Sequence, residues 1–222
     1  MIVEIRGATA SLHVAMTTNT SNRFTWQAWR TYTSQNSAQI AILLGALALA
    51  LWSYSTFLTN VEARAGIALA DPLHVRFEPI NCTWPIFIIL YGALVFTLVA
   101  LRTDPATVFR ALRAYLLLIS LRIVAMWATP FDPPATMIPL DDPFVALFTG
   151  NGTTLTRDLM FSGHVSVLCV VAFTVNTRWL RTALFVCAAI VGVLVIAQHV
   201  HYTIDVVVAP LAAYAAAAVA RR

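Results

Sequence analysis

A histidine and an aspartate four residues apart, His201 and Asp205, form the clearest pair of side chains able to do chemistry. On a helix this spacing predicts that both side chains lie on one face, within reach of each other. A carboxylate that accepts a hydrogen bond from one imidazole nitrogen fixes the tautomer and leaves the other nitrogen free to attack. The pair therefore predicts a histidine nucleophile that could attack phosphorus.

A second polar group, Ser162-Gly163-His164, stands near the beginning of another apolar run. A helix N-terminus with free backbone N–H groups and a serine hydroxyl suits an oxygen of a phosphate. His164 beside such a site could serve as general acid and then as general base. This group predicts a phosphate-binding helix start that carries a second catalytic histidine.

Arg122 lies inside a third apolar run, where a charged side chain costs about 2.5–3.5 kcal/mol on insertion scales. Its guanidinium could hold a phosphate oxygen in bidentate fashion. We expect a bound phosphate to supply the negative charge that compensates its burial.

The elements that position these residues are apolar helices. Hydrophobic residues make up 59% of the 222-residue chain and charged residues 11%, whereas soluble domains carry roughly 25% charged residues. A membrane-spanning helix needs about 20 mostly apolar residues, and six runs approach that length. They are Ala38–Leu58, Trp84–Leu101, Thr107–Thr129, Leu159–Asn176, Leu180–Gln198 and His201–Ala220.

This pattern predicts an all-α integral membrane protein with six transmembrane helices in one bundle. Residues 37–222 would form the single membrane domain that carries the site. Residues 1–36 are polar and would form a separate N-terminal segment, partly interfacial through Trp26 and Trp29.

The arginines predict the orientation, because positive residues accumulate on cytoplasmic loops. Loops on the side of the N-terminus carry Arg6, Arg23, Arg30, Arg102, Arg110, Arg113, Arg178, Arg181, Arg221 and Arg222. The opposite side carries only Arg64, Arg76 and Arg157. Both termini are therefore expected in the cytoplasm, which places Arg122, His164, His201 and Asp205 in the exoplasmic half of the membrane.

Other interpretations stay open. A histidine inside a membrane span can be a structural hydrogen-bonding group between helices. His199, His201, His164 and Asp205 could bind a metal, although residues 199 and 201 would lie on opposite helix faces. Arginines at span ends give no reason to expect nucleic acid, and Cys82, Cys169 and Cys187 imply no disulfide framework. His74 is expected to be a solvated loop residue.

Two motifs resemble a known family. Asp158-Leu159-Met160-Phe161-Ser162-Gly163-His164 and His201-Tyr202-Thr203-Ile204-Asp205-Val206 resemble the two diagnostic motifs of the sphingomyelin synthase-like branch of the type-2 phosphatidic acid phosphatase superfamily. The stretch from Tyr115 to Pro130 is similar to the third-span motif of that branch. Asp71-Pro72 is similar to part of its first luminal loop.

The resemblance implies a six-helix enzyme whose active site faces the periplasm of a bacterial inner membrane, or the lumen or exterior in a eukaryotic Golgi or plasma membrane. His201 would attack a phospholipid phosphodiester and form a phosphohistidine, with Asp205 orienting it. His164 would protonate the departing diacylglycerol and then deprotonate the acceptor. Phosphocholine or phosphoethanolamine would pass to a ceramide-like alcohol or to water, with no cofactor and no metal. The phosphate-binding residues would be Arg122, Arg157, Asp158, Ser162, Gly163 and Tyr202.

The chain also departs from related patterns. Thr156-Arg157 replaces the family's Cys-Gly, and Val165 stands where Thr is usual. The lipid-phosphatase branch would carry Ser-Arg ahead of its last histidine, and this chain does not. Fewer cations favour a phosphodiester over a dianionic monoester. Arg157 could partly fill that gap, so a lipid phosphate monoester phosphatase is the alternative activity. A non-catalytic lipid-handling protein of the scramblase type is the alternative of another class.

Overall fold

The computed structural model of the chain describes residues 18–142 and 155–221. These residues form helices joined by loops, and the described part holds no strand beyond one isolated bridge between Ile67 and Phe131. The helices are α1 Thr18–Gln35, α2 Ser37–Ala63, α3 Thr83–Ala100, α4 Pro105–Ala128, α5 Gly163–Thr174, α6 Arg178–Ala197 and α7 Thr203–Ala220.

Five of these helices, α2, α3, α4, α6 and α7, are long and apolar enough to cross a membrane. The expected all-helical architecture is thus confirmed for the described residues, and the five long apolar helices support a membrane protein. The exception is α5, which has 12 residues and a length of about 18 Å at 1.5 Å per residue. The fourth predicted span, Leu159–Asn176, is therefore wrong in its bounds, since helix forms only between Gly163 and Thr174. A count of six spans, the orientation and the domain division at residue 36 stay predictions.

Helix α5 lies at the centre of the bundle and packs against α3, α4, α6 and α7. Leu168, Val170 and Ala172 of α5 are fully buried. The facing side of α7 is lined with buried alanines, Ala209, Ala213, Ala216 and Ala217 among them. Small side chains let two helix backbones approach closely, which is how membrane helices gain packing energy. The outward faces of the long helices carry exposed Leu, Ile, Val and Trp side chains, as lipid contact requires.

The loops meet at one end of the bundle, which we call the loop end: residues 64–82, 129–142 and 155–162 and the turn 198–202. Ile67 N donates to Pro130 O at 2.9 Å and Ile80 N donates to Ala197 O at 2.9 Å. The buried side chain of Gln198 accepts from Cys82 N at 2.8 Å and donates to the carbonyl of Ile138 at 3.2 Å. These bonds satisfy loop backbone that would otherwise be costly to bury.

The other end, which we call the arginine end, holds α1, the turns at 101–104 and 175–177, and the end of α7. There Trp29 Nε1 donates to Arg102 O at 2.7 Å, and Tyr32 stacks on Phe109 at 5.5 Å between ring centroids. Asp104 caps α4 by accepting from Thr107 N at 3.0 Å, with Pro105 in the first helical position.

Gly66 lies in a tightly packed part of the loop end, and a substitution at this position tests that packing. A Cβ at this position would lie 2.6 Å from the carbonyl carbon of Phe131 and 2.7 Å from Asp132 N. We expect Gly66→Ala to lower the free energy of unfolding by about 1–3 kcal/mol, the usual cost of overpacking, read as a lower thermal midpoint. Gly45→Ala in α2 is the matched control, because its Cβ would meet nothing within 4 Å. Equal midpoints for the two variants would contradict this packing.

Candidate active site

His201 and Asp205 lie in contact at the loop end. The two atoms His201 Nδ1 and Asp205 Oδ2 are 3.3 Å apart. The expectation that both residues share a helix face is wrong, because α7 begins only at Thr203. Asp205 instead caps the start of α7, accepting from Tyr202 N at 3.2 Å, and the same oxygen reaches back to His201. The carboxylate is fully buried, so it holds the imidazole without competition from water.

His164, in the first turn of α5, lies close to His201. Its ring centroid lies 6.1 Å from that of His201, with the planes at 65°. The Nδ1 atom of His164 is buried and has no hydrogen-bond partner among the described residues. Ser162 N donates to Asp205 O at 3.0 Å, which ties the start of α5 to the start of α7. The structure thus brings the two histidines and Asp205 together from residues some 40 positions apart in the chain.

Arg122 is held by protein groups rather than left open for a phosphate. Its Nη2 forms an ion pair with Asp158 Oδ1 at 2.7 Å and also donates to Asp158 O at 3.2 Å. Nε donates to Tyr54 Oη at 2.7 Å, and Nη1 donates to Phe161 O. Asp158 thus supplies a negative charge beside this buried guanidinium, and the contact of Arg122 with a bound phosphate stays a prediction. Of the five N–H donors of a guanidinium, one on Nη1 remains.

Asp158 is correspondingly a partner of Arg122. Burial alone would raise the pKa of its carboxyl, but the neighbouring Arg122 guanidinium and the Tyr54 hydroxyl hold that pKa below its usual range. Tyr54 Oη donates to the same Oδ1 at 2.8 Å. An ionised carboxylate repels a phosphate, so direct phosphate contact by Asp158 has no support in this geometry.

The segment between Asp158 and α5 has an unusual backbone. Met160 and Phe161 both adopt left-handed conformations, with φ of 63° and 49°, which cost energy for residues other than glycine. The Arg122 bonds to Asp158 and to Phe161 O hold this turn in place. Gly163 follows, and a Cβ there would lie 3.1 Å from the Arg122 guanidinium carbon. A side chain at this position would therefore push the guanidinium a few tenths of an ångström away from the start of α5.

Ser162 fills the N-cap position of α5, with Val165 N 3.5 Å from its Oγ. The side chain is fully buried, so the serine is placed as expected for a helix start. Its contact with a phosphate stays a prediction.

Arg157 and Tyr202 do not join the site. Arg157 pairs with Asp132 at 3.0 Å and donates to Arg64 O. Tyr202 Oη donates to Asp132 O at 2.9 Å and accepts from Leu69 N at 3.2 Å. Both side chains therefore bind loops of the loop end together, and their predicted phosphate contacts find no support in this structure.

Several positioning residues have no clear signal in the sequence. Glu62 accepts from the backbone N–H groups of Thr156 and Arg157, both at 2.7 Å, and so anchors the segment that leads to Asp158. Asp71 accepts from Thr203 N at 2.5 Å and Thr203 Oγ1 at 2.9 Å, at the start of α7. Burial opposes ionisation of Asp71, yet these bonds keep its pKa below the usual value. Of these two residues, Asp71 belongs to the Asp71-Pro72 motif, whereas no motif includes Glu62.

His74 is not the solvated residue expected from its loop position. Its ring stacks on that of His199 at 4.1 Å between centroids, and burial lowers the pKa of its imidazole. His199 Nδ1 lies 2.6 Å from Thr136 Oγ1, and His199 precedes α7 rather than sharing a helix with His201.

In residues 18–142 and 155–221 no three His, Cys, Asp or Glu side chains are grouped so as to hold a metal ion. All three cysteines are free, as expected.

A cavity of about 270 Å³ opens beside His164. Its polar wall includes Tyr54, Tyr91, Tyr115, Arg122, Asp142, Asp158 and His164, and its apolar wall includes Leu51, Leu90, Leu94, Leu118 and Ile119. A cavity with one polar and one apolar wall suits an amphiphile whose headgroup lies near His164. His201 does not line it and is 2% exposed.

The C-terminal part of the chain also matches the model of a known protein family. Residues 157–219 match the family model described as PAP2 superfamily C-terminal. The match covers α5, α6, α7 and the turn that carries His201, and it supports the type-2 phosphatidic acid phosphatase superfamily. It also supports an enzyme of the lipid phosphatase or phosphotransferase type. No curated protein and no solved structure matches the chain.

The buried ion pair leads to a stability prediction. Asp158→Asn would leave Arg122 buried without a counter-charge, so we expect a loss of about 3–5 kcal/mol in the free energy of unfolding. Combining it with Arg122→Met should cost clearly less than the sum of the two single changes. Asp132→Asn is the control, because the Asp132–Arg157 pair is partly exposed and should be worth about 0–1 kcal/mol. Additive effects at Arg122 and Asp158 in denaturant unfolding would contradict the coupling.

Proposed function

We propose that this protein is a membrane-embedded lipid phosphotransferase. It would move phosphocholine or phosphoethanolamine from a glycerophospholipid to a ceramide-like alcohol or to water, in the manner of the sphingomyelin synthase-like branch. The observation that carries this proposal is the convergence of His164, His201 and the buried Asp205 carboxylate beside an amphiphilic cavity. The family match over residues 157–219 supports the reaction class.

The reaction would proceed in two displacements at phosphorus. With Nδ1 of His201 held by Asp205, Nε2 attacks, a P–N bond forms, and the P–O bond to diacylglycerol breaks. His164, initially protonated, gives its proton to the departing oxygen. The acceptor hydroxyl then loses its proton to His164 and attacks the phosphohistidine, whose P–N bond breaks. Because His201 is 2% exposed, the residues that cover it must shift for the phosphorus to approach.

The charge around the cavity favours a phosphodiester with a cationic headgroup. Among the described residues that line it, Arg122 is the one permanent cation, and it is paired with Asp158. A dianionic monoester would find two carboxylates, Asp142 and Asp158, and little compensating charge. A choline or ethanolamine group would instead be attracted by the Asp142 carboxylate and by the aromatic rings of Tyr54, Tyr91 and Tyr115.

The proposed site faces the periplasm or lumen. His164, His201 and Asp205 lie at the loop end, where the described arginines are Arg64, Arg76 and Arg157. The other end carries more arginine, which supports a cytoplasmic location for it. Phospholipid donor, lipid alcohol acceptor and bilayer are the partners in this proposal, without a cofactor.

The first test concerns the nucleophile. We expect His201→Ala to abolish headgroup release from phosphatidylcholine and any acid-labile phosphoenzyme, while the protein still inserts and folds. His164→Ala should slow turnover by about 10²–10⁴-fold, the usual loss on removing a general acid–base group. His199→Ala is the control from the same turn and should cost far less. Substantial turnover by both the His201 and His164 variants would refute the assignment, and an inactive wild-type protein would favour the non-catalytic alternative.

The second test concerns the substrate. Purified protein given phosphatidylcholine and ceramide should form sphingomyelin or free phosphocholine faster than it releases phosphate from phosphatidic acid, because the described lining of the cavity offers a dianion no cation besides the paired Arg122. Both rates can be followed side by side by mass spectrometry of the lipids. Faster hydrolysis of phosphatidic acid than of any diester would show that the monoester phosphatase is the correct reading.

A further inference from the structure

Three arginines converge on the C-terminal end of α5, one from α4, one from α6 and one that directly follows α7. Arg110 of α4 donates through Nη2 to Thr174 O at 2.8 Å. Arg181 of α6 donates through Nη2 to Val175 O at 2.8 Å, and Arg221, which follows α7, donates to Phe173 O at 2.6 Å. Three consecutive carbonyls at the end of one helix therefore each receive a guanidinium.

We call Arg110, Arg181 and Arg221 the arginine cap. Together they carry more positive charge than is needed to compensate the C-terminus of α5. The C-terminus of a helix has the equivalent of about half a negative charge, and one basic side chain commonly compensates it. No described carboxylate lies within ion-pair distance of Arg110, Arg181 or Arg221. Asp104 reaches Arg110 only through the hydroxyl of Thr107. The cap is thus a concentration of cations that lacks a described protein anion.

Part of this charge is also buried without a partner. The Nε atoms of Arg110 and Arg181 are shielded from solvent and make no hydrogen bond in the described structure. A buried N–H of a charged group that lacks an acceptor is costly. An external phosphate would instead reach the exposed part of each guanidinium, and the planar fork of this group suits the oxygens of a phosphate.

The position of the cap favours a lipid as the source of the phosphate. Arg110 and Arg181 are half-buried in membrane helices, and Trp179 beside them is 57% exposed and contacts Phe96. Exposed tryptophan is typical of the headgroup level of a bilayer. The cap lies at the far end of α5 from His164, about 15 Å away at 1.5 Å per residue, so it is separate from the cavity beside His164.

We propose that the arginine cap of Arg110, Arg181 and Arg221 binds the phosphate of an anionic phospholipid in the leaflet opposite the candidate active site. The lipid phosphate accepts from the guanidinium groups while its acyl chains lie along the apolar faces of α3 and α6. A net negative charge is what distinguishes this lipid from a zwitterionic one. Lipid binding at the arginine cap would be independent of the reaction proposed for the loop end.

The test uses the purified full-length chain, stripped of lipid in a neutral detergent. We expect phosphatidylglycerol to raise the thermal midpoint in a saturable way, phosphatidylcholine to raise it much less, and inorganic phosphate at the same concentration to have little effect. Native mass spectrometry should detect retained phosphatidylglycerol. Arg181→Gln or Arg110→Gln should weaken the apparent affinity about tenfold, a change of about 1.4 kcal/mol.

Arg178→Gln is the matched control, because it removes the same charge from the same helix as Arg181 at an exposed position. An equal loss of affinity in Arg178→Gln would show diffuse attraction to a basic surface and overturn the proposal. Equal stabilisation by phosphatidylcholine, or by inorganic phosphate, would overturn it as well. If the Gln variants do not fold, Arg181→Lys serves instead, since it keeps the charge and loses the fork. Its affinity for phosphatidylglycerol should fall, and an unchanged affinity would count against the site.

Discussion

The buried ion pair between Arg122 and Asp158 is the interaction on which the geometry of this protein depends. Removing two charges from water is expensive, and their attraction offsets that cost only when the remaining hydrogen-bonding groups are satisfied. Tyr54 Oη and the carbonyl of Phe161 meet this condition. The pair joins α2, α4 and the segment before α5, and it fixes the turn in which Met160 and Phe161 adopt left-handed backbone conformations.

The position of that turn determines the positions of both histidines. It sets where α5 begins and so where His164 stands, and Ser162 N binds the carbonyl of Asp205. Asp205 in turn holds His201, while Asp71 secures Thr203 at the start of the same helix. The three candidate catalytic residues are thus held by backbone contacts and buried carboxylates, and His164 lines the cavity whereas His201 does not. Little of their arrangement depends on exposed side chains.

Much of this organisation could be read from the sequence, because hydropathy over about 20 residues reports directly on membrane helices. The grouping of His164, His201 and Asp205 also followed from spacing and resemblance. The role of Arg122 did not, because its partners Tyr54 and Asp158 are 68 and 36 residues away. The ion pair of Arg157 with Asp132 also joins residues far apart in the chain, so the sequence does not show it. The contact of Arg157 with a phosphate stays a prediction.

The shortness of α5 has a consequence for how this protein can vary in evolution. Both ends of the helix are fixed, at Ser162 by its bond to Asp205 O and at residues 173–175 by guanidinium groups. Inserting one residue between them would turn one end by about 100° relative to the other, given 3.6 residues per turn. Homologous chains should therefore keep the length of this helix constant and confine insertions and deletions to the surrounding loops.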